Sequence, residues 1–399
     1  MKQTARFTRF HLISLLLLGA LVGASENPLV SLFGTGLLAT GVFLCFSFFF
    51  LEMWKSKTLY RPIVSLVWPF ALLGFVYLQT DIANESPGGS LSRMLQLVVV
   101  FSLMHFFYGA ARNETKDLFP WYQSACKSML VLFVLLEISE NFLGFGLGFA
   151  NDNAMGLWLA GVGVLAIKSG ANRLAAFSFS VFAICSIYMT GSRTALGAFV
   201  GGALLYWAWP VVARRRSTFF AVPVALLVLA YLIVELLANG SASLLDANDI
   251  SRELSQKNLL SGRDLLWPDV LAMVRQKPWF GWGGDMTGLT SVFEHSVSAH
   301  NFYLQILLQA GIVGLTAIVG LIFLVWSRFW ALRGYAEIRV AAAAFVALLL
   351  SQNFEVTLLQ NNLALSLPVW AFIAMSLAAK ECRSKPCHLE RVADVGSAK

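Results

Sequence analysis

Of 399 residues, 58% are hydrophobic and 13% charged, which is about half the charged fraction of an average soluble domain. That balance excludes an ordinary cytosolic enzyme. The formal charge of +7 is read as anchoring charge facing anionic lipid, not as a nucleic-acid footprint, because of where the basic residues fall along the chain.

Apolar runs of roughly 20 residues, the length a helix needs to cross about 30 Å of hydrocarbon, recur through most of the sequence. In chain order, spans are expected at His11 to Ala24, Leu29 to Phe50, Pro62 to Thr80, Met94 to Ala111, Ser124 to Leu147 and Asn153 to Ile167. They continue at Leu174 to Met189, Thr194 to Ala213, Phe219 to Leu237, Gly311 to Trp330, Val340 to Val356 and Leu363 to Ala379. The fold class that follows is all-α: a polytopic membrane protein with about twelve transmembrane helices and one large extracytoplasmic loop holding short helices. The chain divides into nine helices over 1–237, the loop over 238–310, three helices over 311–379 and a tail over 380–399.

Placing the N-terminus inside and alternating sides leaves only Arg93, Arg193, Arg252, Lys257, Arg263, Arg275 and Lys277 outside, out of 29 Lys and Arg. This satisfies the positive-inside rule and puts both termini in the cytoplasm. Lys2, Arg6 and Arg9, followed by an apolar stretch and Val22-Gly23-Ala24, also resemble a cleavable signal peptide; the span that follows at once favours retention, and the remaining topology is the same either way. Cys45, Cys126, Cys185, Cys382 and Cys387 all fall in spans or inside, so no extracytoplasmic disulfide framework is expected. Cys382, Cys387 and His388 form a C-x4-C-H cluster without a fourth ligand, which reads as a reduced tail before it reads as a metal site.

From Ala238 to about Ala310 the hydropathy falls and charge rises, so any chemistry is expected there or at helix ends. Gly262-Arg263-Asp264 looks like a helix start, with Leu265, Leu266, Val270, Met273 and Val274 as an apolar stripe that suits a short amphipathic helix lying on the membrane. Trp267, Trp279, Phe280 and Trp282 suit interfacial anchoring or stacking on sugar rings. Lys277-Pro278 ends that helix, and Gly281, Gly283 and Gly284 form a loop whose backbone can approach a ligand closely. In a helix beginning near Ser298, His300, Leu304, Leu307 and Gly311 share one face, and Asn301, Gln305 and Gln309 a neighbouring one.

Arg193 stands in a very short outside turn, Gly191-Ser192-Arg193-Thr194, where positive charge is disfavoured; it reads equally as a snorkelling side chain or as one aimed at a phosphate. Asp152 and Glu355 also lie near outside helix ends, and capping or a polar contact within the bundle accounts for each. The chain has no GxxxxGK[ST] loop, no GxGxxG after a strand and no D-x-D pair, and His295 and His300 are off the i,i+4 spacing of a helical zinc pair. Guanidinium and imidazole remain, at a place without nucleotide, so a reaction there needs a substrate carrying its own leaving group. A polyprenyl diphosphate sugar meets that need: Arg holds the diphosphate as charge develops on it, and neutral His accepts the proton of the attacking hydroxyl.

The Gly191-Ser192-Arg193-Thr194-Ala195 turn, the Ser261-Gly262-Arg263 and Trp267 segment with Pro278 to Gly284, and the Ala299-His300-Asn301 to Leu315 stretch resemble the O-antigen ligase and polymerase superfamily. Asn151 and Asn153 match an Asn-x-Asn turn of that family, with Asp152 where Pro or a small residue is expected. The resemblance implies a bacterial inner-membrane glycosyltransferase with a periplasmic active site. It would move a glycan from undecaprenyl diphosphate to lipid A-core, with inversion and without metal, ATP or cofactor. It also implies His300, Arg263 and Arg193 as catalytic residues and Arg193, Arg263, Asn301, Trp267 and Gly283 as substrate contacts. Expected partners are the lipid-linked donor, the lipid A-core acceptor and membrane lipid. An O-antigen polymerase or protein O-oligosaccharyltransferase would use the same donor, and a twelve-span transporter is the competing reading from another class.

Overall fold

The computed structural model describes residues 2–56, 60–83, 90–113, 118–143, 151–167, 173–238, 262–286 and 298–379. Among them there is no strand. The helices are α1 (Lys2–Gly23), α2 (Pro28–Ser56), α3 (Arg61–Val64), α4 (Val67–Ala83), α5 (Leu91–Asn113), α6 (Leu118–Leu143), α7 (Asp152–Ala166), α8 (Arg173–Met189), α9 (Arg193–Val212) and α10 (Arg216–Ala238). After them come α11 (Arg263–Gln276), α12 (Phe302–Ala331), α13 (Ala336–Ser351) and, behind a 3-10 turn at Leu363–Leu365, α14 (Leu367–Leu377). The C-x4-C-H cluster lies outside the described residues.

Among the described residues, seven segments are long and apolar enough to cross a membrane: those in α2, α5, α6, α9, α10 and α12, and Arg61–Ala83, which joins α3 to α4. Four further apolar helices are shorter, at Leu12–Gly23, Asp152–Ala166, Leu174–Met189 and Leu367–Leu377. Their surfaces divide as a bilayer requires. Leu29, Leu32 and Phe33 of α2, Leu174 and Phe177 of α8, and Val228, Tyr231 and Leu232 of α10 are exposed, while α13 from Val340 to Leu349 and all of α14 are buried. Thus α13 and α14 form the centre, with α9, α7 and α5 packed around them. At α1 and α2 the contact is backbone to backbone, because Gly34 has no Cβ to collide with Val22 and Gly23.

Breaks or early stops set three of the expected spans apart. The third is broken at Ser65 and Leu66, where Pro69 would crowd the carbonyl four residues back and supplies no N–H. The eleventh stops at Ser351, five residues early, because the Gln352 side chain takes over backbone bonding: its Oε1 accepts from Thr357 N and Leu358 N, and its Nε2 donates to Leu348 O. The tenth starts earlier, at Phe302, and is interrupted at Gly311 (φ 62°, ψ −161°).

That interruption is shaped by another segment. Continuous helix would pair Ile312 N–H with Leu308 O and Val313 N–H with Gln309 O. The loop after α11 instead inserts into the ladder. Pro278 O and Trp279 O accept from Ile312 N (2.8 Å) and Val313 N (3.1 Å), and Trp282 N and Gly283 N donate to Leu308 O (2.9 Å) and Gln309 O (3.0 Å). Each of these four groups therefore has a partner, as burial requires. The left-handed conformations of Gly281 and Gly311 and the absence of a Cβ at both make the approach sterically allowed.

The helix α11 matches its expected start and end, but its apolar side faces protein. Leu266, Trp267 and Val270 are buried in a small second core with Ala299, Leu304 and Leu308, bordered by Ile233, Val234 and Leu237 of α10. Of the expected membrane-facing stripe, Leu265 is exposed and Leu266 and Val270 are buried in this core. The bundle offers a closer apolar partner than lipid does.

Candidate active site

Four chain segments converge at one end of the bundle around a cavity of about 640 Å³. Asn153 comes from the start of α7, Ser192 and Arg193 from the start of α9, Arg263 from the start of α11, and Asn353, Phe354 and Glu355 from the loop after α13. Apolar wall is added by Leu157 of α7, Gly197 and Ala198 of α9, and Leu229 and Ile233 of α10. The polar residues mark chain turns with local causes. Asn151 caps α7 by accepting from Ala154 N (3.0 Å), and Ser192 caps α9 by accepting from Ala195 N (3.4 Å). Left-handed Gly191 and Gly262 each sit just before a cavity arginine.

Both arginines are the first residue of their helix. A cation there opposes the helix dipole, so neither position is chosen for helix stability, and both suit an anion. Arg263 donates from Nη2 to Phe354 O (3.1 Å) and stacks over the Phe354 ring at 5.3 Å, which fixes the fork. Burial lowers the Arg263 guanidinium from its ordinary range; Glu355 opposes that shift and Arg193 adds to it. Two guanidinium groups are thus close enough to repel, with a carboxylate beside them.

His300 belongs to the same end of the molecule but not to the helix expected to carry it. It precedes α12 in a left-handed conformation (φ 47°), and Asn301 is the cap, accepting from Leu304 N (2.9 Å). Its Nδ1 lies 3.8 Å from Glu355 Oε2, so it meets the cavity through a residue of the cavity wall.

Asn301, Trp267 and Gly283 stand behind this surface. Trp267 is buried and donates to Ala299 O (2.8 Å), so it presents no free ring face for a sugar. Asn301 is also buried, donating to Asn353 O (3.0 Å). Gly283 spends its N–H on Gln309 O, so the close backbone approach expected of this loop has the helix break as its target. Gln305 and Gln309, on the polar face read from the sequence, both donate to Met286 O, and Gln305 Oε1 accepts from Ala299 N.

Two residues carry more of the site than their sequence context conveyed. Glu355 was read as a polar contact near a helix end and proves to line the cavity beside His300 and Arg263. Gln352, which shapes the loop presenting it, is unremarked in the sequence; its only signal is a polar Gln-Asn pair closing an apolar run. Among the described residues, no three His, Cys, Asp or Glu side chains gather as a metal centre.

No curated protein matches the chain. Residues 178–319 match a family model described as O-antigen ligase. This is about a third of the chain, from within α8 to within α12, and it holds Arg193, Arg263 and His300. Over that stretch the chain is similar to the O-antigen ligase family, the superfamily its motifs resemble.

Proposed function

We propose that the protein is an O-antigen ligase: a glycosyltransferase that moves a polysaccharide from undecaprenyl diphosphate to lipid A-core at the periplasmic face of the bacterial inner membrane, without metal or ATP and with inversion. The observation that carries this reading is the convergence of Arg193 and Arg263, from separate helices, on one cavity whose remaining wall includes apolar α9 and α10 surface. A lipid-linked diphosphate has that same division into a doubly charged head and a hydrocarbon tail. Consecutive helices α9 and α10 pack together near their connecting turn, where Trp209 meets Phe219 at 5.7 Å, and both line the cavity farther along.

In this reading Arg193 and Arg263 hold the diphosphate and neutralise the charge that grows on it as the glycosidic bond breaks. His300 removes the proton of the acceptor hydroxyl as that oxygen attacks the anomeric carbon. The protein's full number of membrane passes, about twelve, belongs to the same proposal.

The test is transfer by purified protein given undecaprenyl diphosphate-linked polysaccharide and lipid A-core, with chelator and no nucleotide. Product is expected from wild type and not from folded His300→Ala. Equal product from both would remove His300 from the chemistry. A wild type that transfers nothing to lipid A-core, yet extends glycan repeats or glycosylates protein, would reassign the acceptor.

A further inference from the structure

The pairing of His300 with Glu355 is built by the backbone on both sides. The segment 300–302 runs beside 352–355, stitched by Phe302 N donating to Gln352 O (2.9 Å) and Asn301 Nδ2 donating to Asn353 O (3.0 Å). Ahead of His300, Ala299 N donates to Gln305 Oε1 (2.7 Å) and Ala299 O accepts from Trp267 Nε1 (2.8 Å). Behind it, Asn301 caps α12. These buried bonds hold the left-handed turn at His300, a conformation uncommon outside glycine and retained where surrounding structure imposes it. On the other strand of the pairing, Glu355 N donates to Ser351 O and the Gln352 side chain clamps the loop as far as Leu358. Two independently anchored segments thus bring one imidazole to one carboxylate.

The geometry points to Glu355 as the positioning residue for His300: its carboxylate accepts the Nδ1 proton, so that Nε2 is the bare nitrogen facing the acceptor hydroxyl. The inference rests on the transferase reading above and deepens it. At 3.8 Å the two groups are within ion-pair reach, and a small side-chain rotation closes a hydrogen bond. His300 and Glu355 remain partly exposed, at 45% and 27%, so that rotation has room. Arg263 is the charged group facing Glu355 from α11, and Arg193 lines the same cavity from α9. In the transfer step the acceptor O–H proton goes to His300 Nε2, the new bond forms from that oxygen to the anomeric carbon, and the old C–O bond leaves its electron pair on the diphosphate. Glu355 takes no proton; it orients the ring and stabilises the imidazolium, which then releases its proton to the departing diphosphate or to water.

The rival role for Glu355 is to brace Arg263, and two measurements separate them. In full-length protein in nanodiscs with 15N-labelled histidine, long-range 1H–15N couplings report which ring nitrogen carries the proton, and His300→Ala identifies the signal among five histidines. Neutral His300 is expected as the Nδ1–H form in wild type, to lose that preference in Glu355→Ala, and to regain it in Glu355→Asp. An unchanged tautomer in Glu355→Ala overturns the proposal. Glu355→Leu repeats the measurement if the alanine variant purifies poorly. In transfer assays Glu355→Ala is expected to lower kcat by about 10²-fold or more with donor KM within about twofold, and Glu355→Asp to restore much of it. A raised donor KM with kcat intact would make Glu355 a brace for Arg263 instead. The tautomer measurement needs neither donor nor acceptor, so a wild type inactive in transfer would sink the ligase reading while leaving this pairing decided by its own result.

Discussion

Arg193 and Arg263 are arginines where helix physics disfavours them, each at the positive end of a helix dipole and each close enough to the other to be felt. In the proposed function, an anionic ligand offsets that cost. The planar fork matters at Arg263, because one nitrogen is committed to Phe354 O and the guanidinium lies over the Phe354 ring. Lysine can reproduce neither the fork nor the stacking. Arg263→Lys is therefore expected to cut transfer about a hundredfold, with protein yield and melting temperature near wild type. Steady-state kinetics beside a melting curve would check this, and activity within threefold of wild type would show that charge alone suffices. Trp267 illustrates the opposite case: the sequence allowed anchoring or sugar stacking, and burial with a bond to Ala299 makes it a support for His300.

At the scale of elements, the break in α12 and the loop after α11 are one device. The loop replaces two ladder bonds with four of its own, and so ties the helix bearing Arg263 to the helix whose start positions His300. A Cβ at Gly311 would press on the carbonyl of Trp279 and would strain a backbone angle that only glycine adopts readily. Gly311→Ala is expected to cost on the order of 3 kcal/mol, read as a lower melting temperature in detergent, together with loss of transfer. Wild-type stability in that variant would mean that the loop and helix can separate freely. The helix α11 itself was legible from its glycine start, apolar spacing and Lys-Pro end; which surface its apolar side would meet was not, because a stripe at helical spacing reads alike for lipid and for protein.

Across the whole molecule, the loop is held from the far side as well. Asp81 accepts from Ser90 N and Oγ, Ser90 Oγ accepts from Gly284 N (2.7 Å), and Arg93 Nε donates to Gly284 O (3.0 Å). The early helices α4 and α5 thereby reach the segment that supports the site, across some 190 residues of chain. Ser90→Ala removes one buried acceptor and leaves Gly284 N–H unpaired, at a cost of about 1–3 kcal/mol. Amide exchange in residues 277–286 is expected to quicken roughly tenfold or more while α13 and α14 keep their protection. Unaltered exchange there would show that the clasp on α12 holds the loop unaided.

The sequence by itself determined the helical class, the position of most helices and the identity of Arg193, Arg263 and His300 as candidates. Hydropathy and helix caps are local properties, and a cation in a short turn is conspicuous wherever the chain later goes. Only the tertiary structure decided which ends of which helices meet. It joined Arg263 to Phe354 across 91 residues, set Glu355 against His300, and filled the break at Gly311 with a distant loop. Those outcomes rest on packing between segments remote in sequence, where each buried polar group must find its partner in another part of the chain, and no periodicity along a single helix encodes that choice.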